Sequence, residues 1–451
     1  MSFPEGGTGH ANPSISAPVF PPELFDSVID YLHDDKAVLR ICSLVCQDWV
    51  PASTFHLFST FSWPPCHHMW HARIPRTSPV RNFCHCRQAQ AGFDRCLTLL
   101  SNTPRIAAAI RCLKLNSSRS VHHIDGSTRF TDEAISRSTL LATLDCLPHL
   151  RTVEFTNCLL ERDNPLAGDV FGVREVHEVK IIPRHDHGYV PLYRALEALS
   201  VFSRLCKLSI DGQECRPLLT VSIPHRHRRT RVDKLEVICE DADSTESIMG
   251  TLLQRTDVTT LRGLMLCSAP GDRSPSSFLT AIPSNLELLE YHVVSTTPEI
   301  QRFSELRSLT LIGSLYIEQG GRSEWPDIMR DLGAVAGPEM RAIGITLQVY
   351  EDPFWTFWTS GSSLGDMPFN FLMNSLKGQD WTTLRTHLHR CQSLQELKFR
   401  VELKPMLDGK GRLSRDIPRC IRIVRDLALE YLPAAIAGMV KVEVDCGNLK
   451  V

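Results

Sequence analysis

Beyond residue 100 the chain repeats one phrase, three apolar residues at i, i+3 and i+5. It reads Ile110-Leu113-Leu115, Leu150-Val153-Phe155, Val176-Val179-Ile181, Leu205-Leu208-Ile210, Val232-Leu235-Val237, Leu261-Leu264-Leu266, Leu286-Leu289-Tyr291 and Leu306-Leu309-Leu311. Looser copies follow at Met340-Ile343-Ile345, Leu394-Leu397-Phe399 and Met439-Val442-Val444. The last two positions of each phrase are spaced as residues on one face of a strand. A single copy is a weak signal. From Leu150 to Leu286, however, successive copies start 25 to 29 residues apart, and chance hits would scatter rather than hold such a beat. Segments between the phrases have helical patterning: 191–199, 246–253 with Thr245 as a candidate cap, 327–335 and 381–389. After Leu306 the starts spread to 34, 54 and 45 residues, so the array is expected to be irregular beyond about residue 312.

The beat falls in the 20–29-residue period of leucine-rich repeats, in which one strand and one helix make each coil. Residues 101–451 therefore resemble a leucine-rich-repeat-like solenoid of strand-helix units, within the α/β class. Helices would cover one face of the strand layer, and alternate strand residues would point outward on the other. No regular Asn or Cys ladder marks the repeat turn, so a non-repeating α/β domain stands as the rival reading.

The front of the chain is written differently. Residues 1–18, rich in Gly, Pro, Ser and Ala, read as a flexible lead. Then come Phe20-Pro21-Pro22-Glu23-Leu24-Phe25, Val28-Ile29 and Leu32, with Leu24, Val28 and Leu32 at helical steps. Asp34 or Asp35 is placed to cap a second series, Leu39, Cys42, Val45, Cys46 and Trp49, which Pro51 interrupts before Leu57-Phe58. Three short helical pieces bury too little surface to stand alone and need a partner, either the following domain or another chain.

These residues, with Ser43-Leu44-Val45-Cys46-Gln47-Asp48-Trp49 and His56-Leu57-Phe58, resemble an F-box, especially the F-box-like proteins of mushroom-forming fungi. Phe20 stands where the family usually has Leu. The resemblance assigns 19–62 to the F-box and implies docking on a Skp-type adaptor, and through it on a cullin-RING ubiquitin ligase, with the downstream repeats choosing a target protein. Carried over by position, the adaptor-facing residues are Pro21, Leu24, Ile29, Leu32, Leu39, Val45, Cys46 and Trp49. The alternative is a helical cap on a repeat scaffold that joins no ligase.

Residues 63–100 read as a linker holding Cys66-His67-His68, His71 and Cys84-His85-Cys86. Zinc needs tetrahedral Cys and His ligands, yet Cys84 and Cys86 lie one residue apart, so a solvated loop is expected and no metal is assigned. The basic run His225-Arg226-His227-Arg228-Arg229-Thr230-Arg231 lacks interleaved aromatics, which argues for an inter-repeat loop and against nucleic acid. An aromatic run, Tyr350 to Trp358, reads as terminal core packing or, if exposed, a partner anchor. A net charge of -2 supplies no general field toward nucleic acid or anionic lipid. The sixteen cysteines show no pairing pattern and no secretion signal opens the chain, so they are expected reduced, in a cytosolic or nuclear protein. The longest apolar stretch, 427–440, carries Glu430 and Pro433 and falls short of a membrane span. No phosphate-cradling loop, nucleophile elbow or zinc-protease motif is present. The expectation is a binding platform that is not an enzyme and uses no cofactor.

Overall fold

The computed structural model describes residues 22–45, 47–63, 89–116, 118–122, 128–132, 134–156, 158–160, 174–182, 195–212, 229–239, 242–267, 276–293, 300–317, 323–351, 367–404, 417–432 and 434–445. A 13-stranded parallel sheet organises them. Twelve of its strands lie side by side in chain order: β1 (Thr60–Trp63), β2 (Cys112–Asn116), β3 (Thr152–Thr156), β4 (Arg174–Ile182), β5 (Phe202–Gly212), β6 (Thr230–Cys239), β7 (Gly263–Cys267), β8 (Leu288–His292), β9 (Ser308–Ile317), β10 (Ala342–Glu351), β11 (Glu396–Lys404) and β12 (Val440–Asp445). The short piece Thr256–Asp257 pairs beside the start of β6. Parallel neighbours require a crossover of a dozen or more residues, and from β3 to β8 the 25-to-29-residue beat supplies one at each step.

The last two residues of every phrase lie on a strand, and the register stacks them. Leu113, Val153, Val179, Leu208, Leu235, Leu264, Leu289, Leu309, Ile343 and Leu397 are successive partners in one row. The last phrase is the exception: Leu397 pairs with Val440, and Val442 lies beside Phe399. Met439-Val442-Val444 is thus two residues out of step with the other ten, and Met439 is exposed. One further copy precedes them all. Phe61 and Trp63 on β1 pair with Leu113 and Leu115, extending both inward rows into the segment assigned to the front module.

Among the described residues thirteen α-helices connect or precede the strands: α1 (Pro22–Tyr31), α2 (Lys36–Val45), α3 (Val50–Phe58), α4 (Ala89–Asn102), α5 (Pro104–Ala109), α6 (Arg137–Asp145), α7 (Ala242–Arg255), α8 (Ser276–Ala281), α9 (Trp325–Val335), α10 (Met367–Lys377), α11 (Trp381–Arg390), α12 (Ile417–Tyr431) and α13 (Ala434–Ala437). Several open where a side chain accepts from an otherwise orphaned amide. Ser136 accepts from the N–H of Thr139 at the start of α6, Asp380 from Thr383 at α11, and Asp35 from both Ala37 and Val38 at α2. Thr245 is no cap: α7 starts at Ala242 and contains it. Pro51 sits in the first turn of α3 and opens that helix, where a missing N–H costs nothing.

The inward rows and the crossover helices share one continuous hydrophobic core, with Leu140, Leu144, Leu252, Ile328, Leu332, Leu384, Leu388 and Val424 packed among the strand residues. Each fully buried leucine or valine contributes about 1.5–3 kcal/mol. The wide spacings after Leu306 hold extra helices, α10 and α11 between β10 and β11 and α12 between β11 and β12, while the ladder continues. There Trp381 packs between Trp325, Phe399 and Tyr431, with ring centroids 5.2, 5.8 and 5.7 Å away.

Candidate functional site

The leading helices are apolar on two sides. On α1 the series Phe25, Ile29 and Leu32 and the series Leu24, Val28 and Tyr31 each run at i, i+4, i+7, so the helix carries two stripes. Ile29 is fully buried and Phe25 packs on Trp49, with ring centroids 5.7 Å apart. On α2, Leu39 and Cys42 are buried, while Ile41, Leu44 and Val45 face away. The six residues of the second stripes, Leu24, Val28, Tyr31, Ile41, Leu44 and Val45, are between 51 and 87% exposed. Scattered exposed leucines need no explanation. Six large apolar side chains on two successive helices, with none of the described residues burying them, mark an interaction surface.

Local contacts hold these helices in place. His56 Nε2 on α3 lies 2.7 Å from Asp30 Oδ1 on α1, and Lys36 at the start of α2 donates to the His56 carbonyl. The Ser59 carbonyl accepts from Arg111 N–H at 2.8 Å and Cys112 N–H at 2.9 Å, and the Arg111 guanidinium lies over the Phe55 ring. The helical unit is therefore tied by backbone hydrogen bonds to the first strands, and it shows its apolar stripes away from them.

Of the residues expected at the adaptor face, Leu24 and Val45 are exposed, and Leu32 and Trp49 are half-buried. Ile29 and Leu39 lie wholly inside the helical unit, so they build it and offer no surface. Pro21 and Cys46 lie outside the described residues. The pattern reading left Val28, Tyr31, Ile41 and Leu44 out of that set. The signal for them was the surplus of apolar residues on two short helices, more than one buried stripe uses. The Cys/His linker (Cys66, His67, His68, His71, Cys84, His85 and Cys86), 225–228 of the basic run and 352–358 of the aromatic run also lie outside the described residues. Among the described residues no group of three or more His, Cys, Asp or Glu is placed to hold a metal, and no helix is long and apolar enough to cross a membrane.

The outward face of the sheet is the second surface, and its charges fall into zones. Across β2–β6 they pair with one another: Lys114 with Glu154 at 2.7 Å, and Lys207 with Glu236 at 2.5 Å and Glu178 at 3.5 Å. Burial works to raise the pKa of Glu236. Hydrogen bonds from Lys207 and Ser209 outweigh it and leave the carboxyl below its usual range. Across β11–β12, Lys398 pairs with Glu443 at 2.8 Å, Arg400 with Glu402 at 3.3 Å and Lys441 with Glu396 at 2.9 Å. Between these zones the outward positions are nearly free of charge.

A scan against protein-family models and a search of the curated proteins both return no match for this chain.

Proposed function

We propose that the chain is a substrate receptor of a cullin-RING ubiquitin ligase. Residues 19–62 form an F-box that docks a Skp-type adaptor, and the strand-helix units beyond them form a leucine-rich-repeat-like solenoid that binds a target protein. The observation that carries this reading is the exposed apolar face of α1 and α2. A helical cap serving only its own repeats would bury its apolar stripes on the first strand. Here Ile29 and Leu39 already supply the inner packing, and a full second stripe is left over. The stacked strands support the solenoid half of the reading, since each unit packs only on its neighbours. The role is positional: one end holds the adaptor, the long face holds a target, and lysines on the target are brought to a ubiquitin-charged enzyme by effective concentration.

The test is co-purification with a Skp-type adaptor, comparing wild type with the double variant Leu24→Asp, Leu44→Asp. Both positions are more than half exposed, so their substitution is expected to shift stability by no more than ~1 kcal/mol, two surface changes of about 0.5 each. Stoichiometric binding by wild type, lost in the folded variant, is the expected result. A folded wild type that binds no adaptor overturns the receptor reading and leaves a repeat scaffold.

A further inference from the structure

Glu290 stands in the uncharged zone of the outward face. On β8 it lies beside Met265 of β7 and Thr310 of β9 in the ladder, and beyond Thr310 comes Gly344 of β10. Met265, Glu290 and Thr310 are half-buried, and Gly344 is buried beneath the Thr310 side chain, since a Cβ there would come within 2.6 Å of Thr310 Oγ1. The next outward row, His292, Ile312 and Thr346, is buried, so the carboxylate stands at the margin of a covered patch without lysine or arginine. Burial raises its pKa, and Arg400 and Lys398 pull it down only from a distance. Every other outward carboxylate named above has a cation within 4 Å: Glu154, Glu178, Glu236, Glu396, Glu402 and Glu443. Among the described residues Glu290 has no hydrogen bond and no ion pair. A half-buried carboxylate without a partner carries a desolvation cost that a cation from outside would relieve.

We propose that the outward face of β7–β10 docks a target segment presenting one lysine or arginine among uncharged residues, with Glu290 accepting from that cationic head. The flanking zones are already neutralised internally, so they repel a densely charged partner no less than they attract one. Specificity then rests on one basic side chain set among uncharged neighbours that fit beside Met265 and Thr310. The inference rests on the receptor reading only in calling the occupant a ligase target; the chemistry of the face stands by itself.

A random peptide library displayed on phage would be selected against the full-length chain and against Glu290→Gln, with a second variant, Met265→Lys, supplying a cation from within. Wild type is expected to enrich peptides with a single Lys or Arg flanked by uncharged residues. Both variants are expected to bind those peptides about tenfold more weakly or worse. A wild-type consensus without a basic residue, equal binding by Glu290→Gln, or no enrichment over background would each overturn the proposal. Adaptor pull-downs on the same preparations separate this outcome from failure of the receptor reading, because neither variant touches α1–α3.

Discussion

One buried polar contact shows how a single residue sets the energetics of a strand-helix unit. Tyr291, an inward residue of β8, donates to Asp331 Oδ2 of α9 at 2.6 Å, and Arg330 Nε donates to Asp331 Oδ1 at 2.9 Å. Asp331 is fully buried, and burial raises its pKa despite both donors. An acid whose folded pKa is raised has its full stability below the ordinary value of 3.8 and loses some as pH climbs, because the unfolded chain ionises first. Tyr291→Phe takes away one donor and pushes the carboxyl further up. The variant is expected to lose about 1–3 kcal/mol, with a larger deficit at neutral pH than near pH 4. Urea unfolding at the two pH values measures both. An equal deficit at both would mean that the phenol serves packing alone.

Among the elements, the packing of α9 against α11 turns on one glycine. A Cβ at Gly333 would lie 2.7 Å from Cε1 and 2.9 Å from Nε2 of the His387 ring. In an open helix, Gly→Ala gains about 1 kcal/mol of propensity. Here the overlap sits against a ring that Leu384 and Leu388 flank on the same helix, and forcing it aside costs about 1–3 kcal/mol. Gly333→Ala is therefore expected to lower the thermal midpoint, and a rise would show that the ring swings away freely. Burial also holds the His387 pKa below its ordinary 6.5. For a depressed histidine the stability is present above that value and declines as pH falls through it, so this contact weakens in mild acid. The same scale explains the front of the chain. Periodicity marked α1 and α2 as helices, but a stripe pattern does not say which of two apolar faces turns inward. That choice is made by α3, which packs on both helices and anchors Asp30 through His56.

Across the whole molecule, the ladder makes the helical front and the repeats one hydrogen-bonded structure. β1 covers the edge of β2, and its stacked Phe61 and Trp63 complete the two inward rows. Removing residues 1–63 would bare a parallel edge with Leu113 and Leu115 at its side, and an open apolar edge invites pairing between chains. The truncated protein is expected to self-associate in light scattering, whereas a monomer of unchanged stability would show the front to be separable. The opposite end is less complete: Val440, Val442 and Val444 on β12 are only half-buried, and Leu429 is exposed nearby.

What the sequence determined was local. The i, i+3, i+5 phrase is written by strand geometry residue by residue, so ten of eleven copies landed in step, and the helices at 327–335 and 381–389 proved to be parts of α9 and α11. Only the tertiary structure decided what depends on neighbours far apart in the chain. It moved the last phrase by two residues, because register is fixed by packing on β11 and not by spacing. It buried Ile29 and Leu39 and left Leu44 and Tyr31 outside. And it left Glu290 without a cation among the described residues, which no reading of one strand foretells, since most of the cations that satisfy the other carboxylates arrive from a neighbouring strand, a full crossover away in sequence.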